Sequence, residues 1–424
     1  MARPDDQIGD LIDFLTASPS SYHAAAEVAR RLTSAGFAVQ DETDEWDSSP
    51  GGHLVVRGGA VIAWRIPDSA GPLTPFRMIG AHTDSPGFRL KPNPGLTSSG
   101  YLQLGVEIYG APLLNSWLDR ELGLAGRLVT DGESRLVASS AIARIPQLAI
   151  HLDRGVNDDG LKLDKQRHTQ PVWSVGSSGR DVLDHLAGLA GLAAEDVLGY
   201  DLMIFDTAAP VVFGPAAEFL AAGRLDNLSS VHAAATALVS AAESGVITVL
   251  AAFDHEEIGS ESTSGASGPM LADVLHRISR SLGAEDDQRH RAYAASLCLS
   301  ADAGHAVHPN YPERHDPGNK PVLNGGPLLK INSNQRYATD GRGAALWRRC
   351  CRAAGVASQE FVSNNAVPCG STIGPLTATR LGIATLDVGV PLLSMHSARE
   401  LAGVEDPPAL ALAMEAFLEL DFAG

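Results

Sequence analysis

The stretch Val246-Ile247-Thr248-Val249-Leu250-Ala251-Ala252-Phe253, followed at once by Asp254-His255-Glu256-Glu257-Ile258-Gly259, decides how this chain is read. The first eight residues read as a strand, and as the most apolar run they fall far short of the ~20 needed to span a bilayer. Three acids and a histidine at the end of such a strand are costly unless their charge is compensated. Two adjacent carboxylates point different ways, so one can bind a metal while the other serves as a base. The alternative is a solvated strand-end turn, which Gly259-Ser260-Glu261 would suit.

The same pattern recurs on both sides of this stretch. Residues 76–81 read as a buried strand that ends in His82-Thr83-Asp84-Ser85-Pro86-Gly87. Residues 294–299 read as a strand followed by Ser300-Ala301-Asp302 and then by His305 and His308. Residues 382–388 read as another, followed by the apolar run 392–395 and His396. Between them, residues 226–240 are Ala-rich and helical, opened by Gly223-Arg224-Leu225-Asp226-Asn227. At the start of the chain, Ile8, Leu11, Ile12 and Leu15 recur at helical spacing, and Ser18-Pro19-Ser20 breaks that helix and caps a second one ending at Gly36. Runs 54–56 and 60–66, joined by Gly58-Gly59, form a hairpin. Residues 409–417 read as a closing helix.

From 89 to 217 the texture changes to short β-like runs (101–109, 122–129, 135–138) separated by turns, with a helical stretch near 181–192. The expected fold is therefore α/β. Residues 1–88 and 218–424 are expected to form one domain with a mixed sheet and helices on both faces, interrupted by an inserted β-rich domain, residues 89–217. The loop 303–326, rich in Pro, Asn and His, is of the long kind that more often carries function than merely connects.

Composition narrows the partners. The 424 residues carry 32 Lys+Arg against 50 Asp+Glu, a formal charge of −18. That argues against nucleic acid or an anionic membrane as the main partner, since either calls for a basic face. With 44% hydrophobic residues a packed core is attainable and global disorder is excluded. Cys298, Cys350, Cys351 and Cys369 contain no C-x-x-C, a reduced intracellular pattern. Residues 1–13 carry acids where a signal peptide needs a basic and then an apolar stretch. The expectation is a soluble, cytoplasmic protein.

Each polar group has an ordinary explanation when taken singly. His82 and Asp84, at i and i+2 on an extended segment, share a face, and Asp84 can orient His82 through its second ring N–H; the pair can equally be a capped turn with an incidental histidine. Asp226 can be a helix N-cap, and a lone histidine such as His396 is more often structural than ligating. Together these readings weaken, because all the groups fall at the carboxyl ends of strands or in the loops beyond, where open α/β sheets form their sites. Oxygen and imidazole without thiolate suit zinc, manganese or cobalt. Two histidines and three carboxylates are enough for two metals sharing one bridging carboxylate. Competing motifs are missing: there is no P-loop, no H-E-x-x-H and no G-x-S-x-G.

The order of these blocks resembles the aspartyl aminopeptidase family of co-catalytic zinc metallopeptidases. The matching segments are His82-Thr83-Asp84-Ser85-Pro86-Gly87, Arg224-Leu225-Asp226-Asn227-Leu228, His255-Glu256-Glu257-Ile258-Gly259-Ser260, Ser300-Ala301-Asp302-Ala303-Gly304-His305-Ala306, His308-Pro309-Asn310-Tyr311, Asn334-Gln335-Arg336-Tyr337-Ala338-Thr339-Asp340-Gly341 and Met395-His396-Ser397-Ala398-Arg399-Glu400.

The resemblance implies two zinc ions per subunit, with manganese or cobalt as substitutes. His82 and Asp302 would hold one, Glu257 and His396 the other, and Asp226 would bridge them. Glu256 would be the general base and Asp84 the partner of His82, and Asp226–Asn227 is a candidate for a non-proline cis peptide. His168 resembles a family histidine that reaches from the insert into the neighbouring subunit's site, although Val172 follows Pro171 where the family usually has isoleucine. Lys330 and Tyr337 match substrate-contacting positions. Lys330 would pair with an acidic P1 side chain, and Tyr337 would hydrogen-bond the scissile carbonyl. The ordinary alternative for Lys330 is a solvated surface lysine. His305, just beyond Asp302, is a further candidate substrate contact.

The activity so implied is removal of an N-terminal Asp or Glu from small peptides. Glu256 would take a proton from a metal-bridging water and pass it to the leaving amine, while one metal, with Tyr337 or His168, stabilises the oxyanion. The assembly implied is a homo-oligomer, a tetrahedral dodecamer built from dimers through the insert. Two other readings stay open: a dinuclear hydrolase of C-terminal peptide bonds, acyl-amino acids or sugar amides, and a non-catalytic peptide-binding or assembly subunit that keeps the fold.

Overall fold

The computed structural model describes residues 4–176 and 181–420. Strand Ile247–Phe253 lies inside a nine-stranded mixed sheet and is buried along its whole length. Alternate residues of a strand face opposite ways, and both faces of this one are covered. Leu250 and Ala252 pack into a core with Phe14, Val28, Leu228, Trp347 and Met414, which come from helices Pro4–Ala17, Ser21–Ser34, Leu225–Ser240, Gly341–Ala354 and Asp406–Glu419. Val249, Ala251 and Phe253 pack on the other face with Val274, Leu275 and Ile373, from helices Met270–Ser281 and Ile373–Leu381. Burial on both sides is why Thr248 is the one polar residue in the run.

Four neighbouring strands at the centre of the sheet are parallel: Ile247–Phe253, Phe76–His82, Leu297–Ala301 and Ala384–Gly389. Their carboxyl ends therefore meet at one edge. Phe253 is in register with His82, Ser300 with Gly80, and Ala301 with Val388. Hairpin Gly51–Arg57/Ala60–Ile66 extends one side. Leu328–Ile331, antiparallel to Ala384–Gly389, extends the other and pairs in parallel with Gln359–Val362.

The third of these strands starts later than its sequence suggests. Residues up to Ala294 belong to helix Asp286–Ala294, and the strand runs Leu297–Ala301 rather than 294–299. Ser296 makes the break: its hydroxyl donates to Ala292 O (2.7 Å) and accepts from Phe76 N–H (2.8 Å).

Residues 87–206 contribute a second, antiparallel sheet of six strands: Ser134–Ala138, Leu122–Val129, Gly199–Asp206, Gly87–Ser98, Tyr101–Tyr109 and Val172–Val175. It has its own core around Phe88, Trp117, Leu124, Leu186 and Leu202. The helical stretch there is Val182–Leu189, capped by the Asp181 side chain. A third sheet of five short strands joins Val211–Phe213, Phe219–Ala222, Glu400–Gly403, Pro391–Leu393 and Gly304–His305. Among the described residues no helix is long and apolar enough to cross a membrane.

Candidate metal centre

His82 is the last residue of its strand and is fully buried. Its Nδ1 donates to the main-chain carbonyl of Asp84 (3.0 Å) and lies 3.3 Å from the Asp84 carboxylate. A carbonyl only accepts, so Nδ1 carries a hydrogen and Nε2 is the nitrogen left to meet a metal. After strand Ile247–Phe253 the chain reverses at His255 (φ 64°) into the turn Glu256–Ile258. The N–H groups of Glu256 and Glu257 both donate to the Asp84 carboxylate, each at 3.1 Å. Asp84 thereby fixes His82 and the two glutamates together.

Asp226 follows Arg224, which caps helix Leu225–Ser240 in a left-handed conformation; Asp226 and Asn227 leave helical dihedrals, and their peptide bond is cis. Asp226 is thus not the N-cap its sequence position also allowed. Its N–H donates to Glu400 Oε2 (3.0 Å), its carbonyl accepts from Ser85 Oγ (2.7 Å), and the Asn227 amide donates to Ala301 O (2.8 Å). These contacts turn the Asp226 carboxylate toward the strand ends.

The resulting constellation is specific. His82 Nε2 lies 3.4 Å from Asp226 Oδ1 and 3.4 Å from Asp302 Oδ1. His396 Nε2 lies 3.4 Å from Asp226 Oδ2 and 3.4 Å from Glu257 Oε1. The two oxygens of Asp226 therefore serve two separate groups. These spacings are longer than an ordinary N–H···O hydrogen bond. They match the edge of a coordination tetrahedron, because donors about 2.0–2.1 Å from one zinc stand about 3.3–3.4 Å apart.

Three donor groups among the described residues are compact enough to hold an ion: His82 with Asp226 and Asp302, Asp226 with Glu257 and His396, and His82 with Glu256 and Glu257. Asp226 Oδ1 is buried with no hydrogen-bond partner, a costly state for a carboxylate oxygen unless a cation meets it. The residues fit divalent metal.

Electrostatics point the same way. Burial opposes the charged form of Asp226, yet the imidazoles of His396 and His82 hold its carboxyl well below the usual range. Burial also opposes charge on His396, yet Asp226 and Glu257 push it up to about 10. Glu257 is raised well above the ordinary glutamate value, first by burial and then by Asp226. Glu256 is pushed up to about 7, chiefly by burial, with His82 opposing and Asp302 adding to the rise. A cluster that keeps protons on imidazole and glutamate calls for positive charge at its centre.

In metal-free protein Glu256 stays protonated up to about 7, whereas the unfolded chain releases that proton near 4.5. The folded state then binds more protons, so this group's contribution to stability falls as pH rises across that window. Divalent ions need the cluster's imidazoles and Glu257 free of their protons as well, and so gain affinity as pH rises. The rise in Tm on adding zinc to chelated protein should be larger at pH 8 than at pH 5.5; an equal or smaller rise would contradict the assignment.

Around this cluster lie the other residues singled out by the sequence. Lys330 is 2% exposed, so it is not a solvated surface lysine. Its ammonium donates to Asp302 Oδ2 (3.2 Å) and Ala303 O (2.6 Å), and it sits 5.3 Å from the Tyr337 ring centroid. Tyr337 packs with Leu328 and Phe361. Burial and the adjacent Cys369 thiol raise its hydroxyl far above the ordinary tyrosine value. His305 opens to solvent but is closely ringed by protein; that crowding, and then Lys330, lower its pKa.

His168 stands apart. It is exposed on the turn 164–170, where its Nδ1 accepts from Asp164 N–H (3.0 Å), and within one chain it does not join the cluster.

Sequence patterning singles out neither Glu400 nor Tyr109. Glu400 is buried and accepts the N–H of both Asp226 (3.0 Å) and His396 (2.8 Å), and the Tyr109 hydroxyl donates to Asp84 Oδ2 (2.8 Å). Glu400 closes one of the matching segments, the only signal the sequence offers for either.

Residues 14–418 match the family described as aminopeptidase I zinc metalloprotease (M18). The chain is 55% identical to a probable M18 family aminopeptidase 2 of Streptomyces coelicolor, over 97% of each chain. It is 45% identical to the protein of the same description from Mycobacterium tuberculosis, over 97% of this chain and 98% of the relative. Among solved structures, a chain in the cryo-EM structure of the Ape4 and Nbr1 complex is similar with a TM-score of 0.95 and 35% identity, covering 98% of this chain and 86% of that one. The S. cerevisiae mApe1 dodecamer is similar with a TM-score of 0.85 and 30% identity, covering 97% and 96%.

Proposed function

The chain belongs to the aminopeptidase I zinc metalloprotease (M18) family and is a zinc aminopeptidase, and from that premise we propose that it removes Asp or Glu from the N-terminus of small peptides at a centre of two metal ions. The observation that carries the two-metal reading is the Asp226 carboxylate, whose oxygens each stand 3.4 Å from a different imidazole. On this reading His82 and Asp302 hold one ion, Glu257 and His396 the other, and Asp226 serves both. Bound zinc would supply Lewis acidity toward the scissile carbonyl and would acidify a water molecule.

The chain's own groups do the rest. Glu256, beside His82 but outside the shortest contacts (3.9 Å), accepts the proton of the attacking water and returns it to the leaving amine. Tyr337, whose hydroxyl stays protonated through the working range, donates to the oxygen on which negative charge develops. Lys330 uses two of its three N–H donors on Asp302 and Ala303, and the third is available to a carboxylate at P1. His305, open to solvent beside Lys330, completes that subsite. The assembly that suits this chemistry is a tetrahedral homododecamer in the cytoplasm, in line with the dodecameric S. cerevisiae relative. In it the exposed His168 would reach a neighbour's centre.

The test is kcat/KM for peptides beginning with Asp, Glu or Leu and for an N-acylated control. Asp and Glu should be favoured and the blocked peptide untouched. Lys330→Met disturbs Asp302 as well, so all rates should fall. The diagnostic is the Asp-over-Leu ratio, which should drop by about 10–100-fold, the range of one hydrogen bond to a charged group. An unchanged ratio would remove Lys330 from the specificity pocket.

A further inference from the structure

We propose that the segment Tyr109-Gly110-Ala111-Pro112-Leu113, which leaves the second sheet, positions both halves of the metal centre, so that metal affinity depends on a stretch that supplies no ligand. The inference rests on the ligand assignment above and adds to it a source of its geometry.

The contacts come one after another along the chain. The Tyr109 hydroxyl donates to Asp84 Oδ2 (2.8 Å), on the carboxylate that also receives the Glu256 and Glu257 N–H groups beside His82. Gly110 (φ 68°) passes so close to Glu257 that a Cβ there would lie 3.2 Å from both the Glu257 Cβ and its carbonyl oxygen. A side chain at that point would have to push Glu257 or the segment aside, and the backbone conformation itself favours glycine. The Ala111 carbonyl accepts from His396 Nδ1 (3.0 Å), which keeps a hydrogen on Nδ1 and turns Nε2 toward Asp226 and Glu257.

The grip extends to the histidine's main chain. Leu113 N–H donates to the His396 carbonyl (2.9 Å). Ser116 Oγ donates to Leu113 O (2.6 Å) and accepts from Ala398 N–H (2.9 Å). His396 has φ 65°, a conformation a residue with a β-carbon keeps only when its surroundings hold it there. Here the ring is held through Ala111, the carbonyl through Leu113, and the N–H through Glu400 on the opposite side. One short segment thus orders Asp84 and His82 for the first ion, and Glu257 and His396 for the second.

Partners of this kind typically tune metal affinity or activity by 10–100-fold. The experiment is a zinc titration of chelated full-length protein against a competing chromophoric chelator, repeated with cobalt so that the visible absorption reports each site's geometry. The variants are Tyr109→Phe and Ser116→Ala, both conservative in shape, with Gly110→Ala as a stronger perturbation. Tyr109→Phe should weaken the His82 site, and Ser116→Ala the His396 site, each by about 10-fold or more with an altered cobalt spectrum. The Tm of the chelated proteins should remain that of the parent. Gly110→Ala should weaken the His396 site further; if it fails to fold, the other two variants decide.

His396→Ala separates the two claims. If it still binds two ions as the parent does, the ligand assignment falls and this inference with it. If it binds one, while Tyr109→Phe and Ser116→Ala titrate like the parent, the assignment stands and the positioning role is overturned.

Discussion

Replacing Glu256 by Gln is expected to lower kcat by about 10²–10⁴-fold, the range for loss of a general acid–base group, while two divalent ions per chain stay bound. The amide keeps the shape of the side chain, and the main-chain N–H of residue 256 still donates to Asp84, so the turn and its neighbour Glu257 remain in place. What is lost is the proton acceptor. Burial raises Glu256 to about 7 in metal-free protein; divalent cations nearby draw such a carboxyl down again, leaving it ionised and within reach of a water proton near neutral pH. Full activity in the variant would reject the base. Because His82, Glu256 and Glu257 also lie close enough to hold an ion, loss of one metal would recast Glu256 as a ligand. Metal content and turnover should therefore be measured on the same sample.

Asp226→Ala should have the broadest effect of any single ligand change. On the proposed assignment, removing His82 or Asp302 would strip a donor from one ion, and removing Glu257 or His396 one from the other. Removing Asp226 would take an oxygen and shared negative charge from both, and would leave the imidazoles of His82 and His396 without the acid between them. Its main-chain links to Glu400 and Ser85 survive the substitution, so the fold has no direct reason to fail. Zinc titration should show both affinities weakened together and turnover reduced to that of chelated enzyme. Retention of one tightly bound ion would show that Asp226 serves a single metal.

Much of this was visible in the residue order, for a physical reason. Central parallel strands buried on both faces read as nearly continuous apolar runs, so Ile247–Phe253, interrupted by Thr248, and Phe76–His82, interrupted by Arg77, still announce themselves, and the polar groups at and just past their ends stand out against them. The misplaced start of Leu297–Ala301 has an equally local cause: the last turn of helix Asp286–Ala294 and its close are rich in alanine and tyrosine and carry no glycine or proline to mark the stop.

Contacts made across long sequence separations were not visible. Lys330 sits in Leu328–Ile331, where alternation alone places a lysine on either face; its burial depends on Asp302 and Ala303, brought beside it by the sheet. Glu400 looks like an ordinary strand residue until the fold sets Asp226 against it. Tyr109 closes a strand of the second sheet and Ala111 lies just beyond it, yet they touch Asp84, 25 residues back, and His396, 285 residues on. The charge of −18 also takes on a local meaning: part of the acid excess is concentrated where two divalent cations would neutralise it.

The central claim is a pair of ions sharing Asp226 in a shell of oxygen and imidazole. Zinc X-ray absorption on fully loaded protein tests it most directly. The expected spectrum contains only nitrogen and oxygen neighbours at about 2.0–2.2 Å and a zinc–zinc vector at about 3.5–4 Å. Sulfur at about 2.3 Å, or no metal–metal vector in a sample carrying two ions per chain, would contradict it.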